Sequence, residues 1–314
     1  MMANQITPFK KENNIPVVFT SSAFYAPYMG VTLQSLIDFS NTDYNYDILI
    51  LNKEISEEDK NKCFSMIYGR DNFSIRFIEV NQALDMHDFN FREGYSSESF
   101  YRVVMVALLT EYDKVVYLDS DLIIRADIVD LYTKEDMGNN LVAAAIDIDG
   151  LASCFSDHDG RKGYMISYLG VKDLHNYLQS GVMIFQLSEW RKTFTLDQII
   201  DQACAPEIMF GDQDVLNKLC NGRIHFIDMS WNTIINHRRK QMEELLVLAP
   251  VDLLDDYFQA RSNPNIIHYG GTKPWDVPDC DMSWYFWEVA RKTPFYEDII
   301  RRNVVNFRRS DYGD

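Results

Sequence analysis

Paired cysteines are missing from this chain of 314 residues. Its five cysteines (Cys63, Cys154, Cys204, Cys220 and Cys280) are odd in number, and none stands in a C-x-x-C spacing. That excludes a disulfide scaffold or a cysteine-built zinc site and points to reduced thiols in a cytoplasmic setting. Basic residues are scarce, with 30 Lys and Arg against 47 Asp and Glu, a net charge of −17. A general nucleic-acid binder needs a cationic footprint to displace counterions, so nucleic acid is not expected as a partner. Long apolar runs are lacking too. The longest, Val103–Leu109, falls far short of the roughly 18 residues a membrane-spanning helix requires. The segment from Met1 to Lys10 has no apolar stretch and no small-residue cleavage site, so no secretory leader is expected.

What remains is the balance of a globular protein, 46% apolar and 25% charged, long enough for one large domain or two modest ones. Tyr (18) and Phe (19) are plentiful, a composition suited to handling flat or ring-shaped ligands. Charge is uneven along the chain. Between Arg291 and Arg309 six basic residues meet two acidic ones, a local +4 on an acidic body.

The first 275 residues alternate between strand-like and helix-like segments. Strands are expected at Ile15–Thr20, Tyr46–Leu51, Ile75–Val80, Lys114–Leu118, Leu141–Ile146 and Val182–Leu187. Tyr28–Phe39 has apolar residues at helical spacing, Ser56-x-x-Asp59 opens a second helix, Ser99–Leu109 forms a buried third, and Asp212 begins a fourth that ends near Cys220. Residues 147–163, rich in Gly and Asp, are expected as a loop. Strands every 25–30 residues with helices between them (about that spacing) predict a mostly parallel sheet covered on both faces. The two prolines in 275–281 mark the best boundary. It separates residues 1–275 from a tail at 276–314.

Four local patterns could carry chemistry. Lys114–Leu118 runs straight into Asp119-Ser120-Asp121. Ligands of open parallel sheets bind beyond the carboxyl ends of strands, and two carboxylates there can share a divalent cation; alternatively Asp119 caps a turn and Asp121 is solvated. Ile266–Trp275 delivers His268, two glycines and Lys273. Imidazole suits a cation already held by carboxylates and lysine suits a phosphate, or the histidine is simply buried. Gly211-Asp212-Gln213-Asp214 places acids where a helix dipole favours them. Arg102, on an apolar helix, needs either structural carboxylates or a bound anion.

Taken together and in order, these pieces resemble glycosyltransferase family 8. The resemblance runs from about Ile15 to Phe295. It rests on Val17-Val18-Phe19-Thr20 with Tyr25, on Tyr101-Arg102, on Tyr117–Asp121, on Ala145-Ile146-Asp147, on Gln179–Val182, on Asp212–Asn217 and on His268–Trp275. It implies a GT-A fold, α/β and Rossmann-like, with a mostly parallel central sheet flanked by helices and a C-terminal helical tail. The implied activity is metal-dependent, retaining transfer of a hexose, glucose or galactose, from a UDP-sugar to a glycan acceptor, free or lipid-linked, in cell-surface polysaccharide synthesis. By the same resemblance Asp119, Asp121 and His268 ligate Mn²⁺, with Mg²⁺ as the alternative. Thr20, Ser22, Tyr25, Arg102, Asp119, Ser120, Asp121, Gln179, Gly271 and Lys273 bind the donor, and Tyr25 stacks on the uracil. Asp147, Asp212 and Gln213 lie at the reacting sugar. Ser22 and Phe24 stand where family members often carry Asp and Asn, and Gln179 where Asn is more usual.

The tail interleaves Trp284, Phe286, Trp287, Phe295 and Tyr296 with its basic residues. It either lies on an anionic membrane surface, placing the enzyme peripherally on the inner face, or packs against the acidic body. Two rival functions remain. A haloacid-dehalogenase-type phosphohydrolase also ends a strand in D-x-D, although Ile123 replaces its expected Thr or Val and over a hundred residues precede the motif. The other is a non-catalytic module that binds nucleotide-sugars.

Overall fold

The structure, a computed structural model, describes residues 6–80, 100–156, 160–235 and 239–311. Ser99, residues 157–159 and the side chains of Arg308 and Arg309, on which expectations were placed, lie outside the described residues or side chains.

A seven-stranded sheet runs in the order β3-β2-β1-β4-β7-β6-β8. Its strands are β1 (Asn14–Ser21), β2 (Asn45–Asn52), β3 (Phe73–Glu79), β4 (Val115–Leu118), β6 (Val142–Ile146), β7 (Leu178–Phe185) and β8 (Ile224–Phe226). A small second sheet pairs β5 (Leu122–Ile124) and β9 (Thr233–Ile234) with β10 (Ile266–His268). Pairings along the large sheet are parallel, except that β7 runs antiparallel to both β4 and β6. The central strands read as continuous apolar runs because both of their faces are buried. In β1, Val17 and Phe19 point into one core while Val18 points into another. In β4, Val116 and Leu118 go one way and Val115 and Tyr117 the other, the period-two alternation of a pleated strand.

Helices cover the two faces. Their ranges are α1 (Ala26–Asp38), α2 (Glu57–Met66), α3 (Tyr101–Leu108), α4 (Ile128–Lys134), α5 (Ile148–Ser156), α6 (Arg161–Ser167), α7 (Leu187–Thr193), α8 (Leu196–Ala203) and α9 (Gly211–Leu219). Four more follow: α10 (Arg239–Leu248), α11 (Val251–Ser262), α12 (Ser283–Ala290) and α13 (Tyr296–Asp311). The Ser56 cap of α2 forms as expected, its hydroxyl accepting from the Asp59 amide at 3.1 Å. The expected loop at 147–163 is corrected: it carries α5 and the start of α6. Ile148, Leu151, Ala152 and Cys154 recur at near-helical spacing and bury into a third core with Met165, Tyr177 and Leu245. The abundance of Gly, Asp and Ser masked that period. The expected strand at Val182–Leu187 begins earlier, at Leu178, and Leu187 already belongs to α7.

The tail forms two helices, α12 and α13, separated at Thr293-Pro294. Phe286, Val289, Ala290, Phe295 and Ile299 join the same core as β1 and α1. Gly30 sits inside α1, where glycine costs about 1 kcal/mol relative to alanine. A Cβ at that point would overlap the Phe295 ring, so the tail docks on bare helix backbone. Of the tail aromatics, Phe286 and Phe295 are buried, Trp287 and Tyr296 are half-buried, and Trp284 is 58% exposed. These contacts follow the packing alternative.

Candidate functional site

Register brings the acids and the histidine together. β1 and β4 run side by side and parallel, Phe19 opposite Leu118, so both open at the same sheet edge. β7 enters that edge antiparallel, Val182 opposite Leu118, and the Gly181 carbonyl accepts from the Asp119 amide at 2.8 Å. β6 ends there as well, its successor Asp147 donating its amide to the Tyr177 carbonyl at 2.9 Å. The small sheet supplies the last partner. His268 stands opposite Leu122 on β10 and β5, and the Tyr269 amide donates to the Asp121 carbonyl at 3.1 Å. A histidine remote in sequence is thereby seated beside the D-x-D.

Ligand atoms of Asp119, Asp121 and His268 lie within 4.8 Å of one another. His268 Nε2 is 3.4 Å from Asp121 Oδ1 and 4.0 Å from Asp119 Oδ2. The hydrogen bonds assign its tautomer. Gln179 Oε1 accepts from the Gly181 amide at 2.6 Å and from Asn232 Nδ2, which turns Asn232 Oδ1 toward the ring. His268 Nδ1–H donates to that oxygen at 2.8 Å, leaving the Nε2 lone pair facing the acids, as a metal-binding imidazole requires. The ring lies tight against β7. A Cβ on Gly181 would stand 2.7 Å from Nδ1, nearer still to Cε1, and 3.0 Å from Asp119 Oδ2.

The residues present fit a divalent cation. Asp121 Oδ1 is a buried carboxylate oxygen without a hydrogen-bond partner, a costly condition that a cation relieves. Asp121 Oδ2 is paired with Lys273 Nζ, which also donates to the Tyr269 carbonyl. Burial alone would raise the Asp121 pKa, yet the Lys273 ammonium beside it holds it well below the usual carboxylate range. Burial would lower the Lys273 ammonium, but Asp121 outweighs it and the net shift is upward. Arg102, 6% exposed, meets Asp119 Oδ1 at 3.0 Å and Asp212 Oδ2 at 2.8 Å and donates to the Ser180 carbonyl at 2.7 Å. Of the two explanations open for a buried arginine, the structure supplies carboxylates. Asp119, Asp121 and Asp212 against Arg102 and Lys273 leave one excess negative charge, and a mixed carboxylate–imidazole donor set suits Mn²⁺ better than Mg²⁺.

The other expected residues surround this cluster. Tyr117 Oη donates to Asp119 Oδ1 at 2.7 Å and lies 2.8 Å from Thr20 Oγ1. Ser120 Oγ donates to the Thr20 carbonyl at 3.0 Å, so Thr20 and Ser120 clamp β1 to β4. Ser22 Oγ accepts from the Tyr25 amide at 3.3 Å. The Tyr25 hydroxyl is pushed up by burial, with Lys273 opposing, and its ring meets Trp275 edge-on at 6.2 Å. Gly271 lies between His268 and Lys273 in the loop after β10. Gln213 Nε2 donates to Asp147 Oδ2 at 2.8 Å and its Oε1 accepts from the Ser180 amide at 3.0 Å. Asp147 also accepts from the Gly150 amide at 3.0 Å. Gln179 faces the Asn232 amide rather than standing apart from the histidine. Reasoning from sequence missed Asn232, Gly181 and Tyr117 as parts of the site. The glycine before an apolar strand was a usable signal, whereas Asn232 carried none.

A Rossmann-like sheet with a D-x-D at its carboxyl edge defines a GT-A glycosyltransferase. The family model for glycosyl transferase family 8 matches residues 16–277, and the chain belongs to that family. This removes the phosphohydrolase reading. A lipopolysaccharide 1,2-glucosyltransferase of Escherichia coli is 21% identical over 302 residues, 93% of this chain and 83% of the relative. Among solved structures, the galactosyltransferase LgtC in complex with donor and acceptor sugar analogs superposes with a TM-score of 0.68 at 24% identity, covering 89% of this chain and 96% of the other. The bifunctional glycosyltransferase WbbM gives 0.82 at 26% identity over 95% of this chain. The chain spans about half of WbbM, 53% of its length.

Proposed function

We propose that this enzyme transfers a hexose, glucose or galactose, from a UDP-sugar to a glycan acceptor with retention of configuration, in the synthesis of cell-surface polysaccharide. The observation that carries the reading is the convergence of Asp119, Asp121 and His268 around an unpartnered carboxylate oxygen in a family 8 chain. These three residues would hold Mn²⁺, with Mg²⁺ as the alternative. When bound, the cation supplies electrophilic stabilisation to the diphosphate leaving group.

The chain's own groups account for the rest. Lys273 supplies a second positive charge for the diphosphate, and Tyr25 stacks on the base. Arg102, held between Asp119 and Asp212, fixes Asp212 against the donor sugar. Gln213 is oriented at both ends of its amide, by Asp147 and by Ser180, and so presents a fixed dipole at the reacting carbon. Asp147 and Asp212 are each engaged by a donor, so neither is free to act as a nucleophile without losing a partner. The acceptor hydroxyl therefore attacks on the face from which UDP departs and passes its proton to the leaving phosphate oxygen.

Five free cysteines, three of them buried, suit a reducing compartment, and a cytoplasmic enzyme acting beside the inner membrane face follows from that and from a lipid-linked acceptor. Among the described residues no helix is long and apolar enough to cross a membrane. Among the described side chains, peripheral contact through the tail would rest on Trp284, Arg291 and Arg301. The deciding assay incubates the purified protein with UDP-glucose, UDP-galactose and other nucleotide sugars, with and without Mn²⁺, and measures free UDP. Release that depends on Mn²⁺ is expected. Binding without any release would instead identify a non-catalytic module.

A further inference from the structure

The loop between β1 and α1 carries a large, exposed aromatic. Phe24 is 57% exposed, in a part of the chain where other rings are packed away. Its ring centroid lies 5.5 Å from Tyr25 and 5.9 Å from Tyr28, both edge-on. Tyr28 in turn stacks on Trp275 at 3.8 Å, two residues beyond Lys273. The aromatic group therefore extends from the acid-pair pocket outward, with Phe24 at its rim. In an open α/β sheet ligands lie in the crevice outside the carboxyl ends of the strands, at the point where the strand order reverses, here between β1 and β4, where this loop begins.

This loop is short of local ties. Within it, the Ser22 hydroxyl and carbonyl take the Tyr25 and Ala26 amides. The Phe24 carbonyl is held from far away in sequence, by Arg302 of α13, whose Nη1 donates to it at 2.6 Å. The guanidinium also lies 5.3 Å from the Phe24 ring and 5.8 Å from the Tyr28 ring, within the range of a cation–π contact. On the Tyr28 hydroxyl, burial raises the pKa and Arg302 opposes it, so one arginine engages three groups of one aromatic cluster. Its own helix is anchored by Phe295 against Gly30 and by Ile299 in the core, which makes the grip rigid.

We infer that Arg302 is a positioning residue for the donor nucleoside: from the C-terminal helix it pins the 22–25 loop so that the exposed Phe24 face, beside Tyr25, forms the platform on which the base of the UDP-sugar rests. The inference deepens the donor reading above and rests on it. It also gives the basic tail a task at the site. A phenylalanine offers area without hydrogen bonds, so the platform binds a pyrimidine ring by stacking and relies on the backbone pin to hold its plane.

The test titrates UDP in the presence of Mn²⁺ into the wild-type protein and the R302A, R302K, F24A and F24A/R302A variants, followed by steady-state kinetics. Arg302→Ala is expected to raise the UDP Kd and the donor KM by about fivefold to tenfold, the net worth of one ordinary hydrogen bond, with kcat and the acceptor KM nearly unchanged. Arg302→Lys should restore part of the affinity, and the double variant should lose less than the product of the two single losses, because both act on one platform. A general structural role would lower kcat and disturb donor and acceptor KM alike. Should Arg302→Ala fail to fold, the Lys and F24A variants carry the comparison. UDP affinity unchanged in R302A and F24A overturns the inference while leaving the donor reading intact; a wild-type protein that binds no UDP overturns both.

Discussion

Two of the chain's acidic pairs share one spacing, Asp119-Ser120-Asp121 and Asp212-Gln213-Asp214, and the fold uses them in opposite ways. The first follows a strand, where the turn lets both carboxylates converge on His268 within 4.8 Å. The second opens α9, and on a helix positions i and i+2 point to different sides. Asp212, itself buried, turns toward Arg102 at 2.8 Å. Asp214 turns inward, fully buried, and accepts from Tyr177 Oη at 2.7 Å, Tyr164 Oη at 2.8 Å and the Phe210 and Met209 amides at 2.7 and 3.2 Å. Its lone pairs are filled, whereas Asp121 keeps an oxygen without a partner. Local structure, more than spacing, decides whether a D-x-D is a ligand pair or a buttress.

The sharpest way to break this contrast is to remove one acid from each pair. Asp121→Asn should lower turnover by about 10²–10³-fold or more and abolish Mn²⁺ binding measured by calorimetry, with a smaller fall in melting temperature than the second variant, set by the loss of the Lys273 partner. Asp214→Ala should do the reverse. Stripping an acceptor from one buried and three part-buried donors costs about 2–5 kcal/mol, visible as a large fall in thermal stability, while the folded fraction still binds Mn²⁺. Equal losses of stability in both variants would erase the distinction.

Next in size is the closeness of His268 to β7. Gly181→Ala puts a methyl 2.7 Å or less from the imidazole, and a displacement of about 1 Å at such a site costs on the order of 10²-fold in rate. Full activity in this variant would mean the ring has room to spare. A smaller loss is expected when Asn232→Leu removes the acceptor that orients the ring. Metal affinity should fall by about 10–100-fold, and a neutral-pH Mn²⁺ titration measures it. Unchanged affinity would show that the acids alone orient the cation.

Much of this arrangement was legible before any coordinates, and for a physical reason. β1 and β4 are buried on both faces, so their apolar runs announce themselves, and an acid placed straight after such a run has a known position in space. His268 and Lys273 were legible through the strand-like Ile266-Ile267 before the histidine and the two glycines between it and the lysine. Asn232 was not, because its contact depends on β9 and β10, strands of two and three residues that are too short to show a period. The helices α5 and α6 were hidden by Gly, Asp and Ser, which favour turns in isolation but here are overridden by burial of Leu151, Cys154 and Met165. Recognition of the family added the sugar-side roles of Asp147 and Gln213, which spacing alone could not supply.

The smallest effect probes the neighbourhood of the second pair through Asp147, the acid that Gln213 Nε2 touches at 2.8 Å. Burial raises the Asp147 pKa above its ordinary 3.8, Asp149 adds to the rise, and Arg161, the Gly150 amide and Gln213 oppose it. A carboxyl whose folded pKa is raised binds its proton more tightly in the native state. Its stabilising contribution is therefore complete below about 3.8 and is lost as pH climbs through the folded value. Asp147→Asn removes that titration. Melting curves collected from pH 4 to 7 should show the wild type losing stability relative to the variant as pH rises, with the curves converging at the acid end. Parallel curves would mean that Gln213 and the Gly150 amide fully offset the cost of burying the charge, and the second pair's surroundings would then be as well satisfied as Asp214 itself.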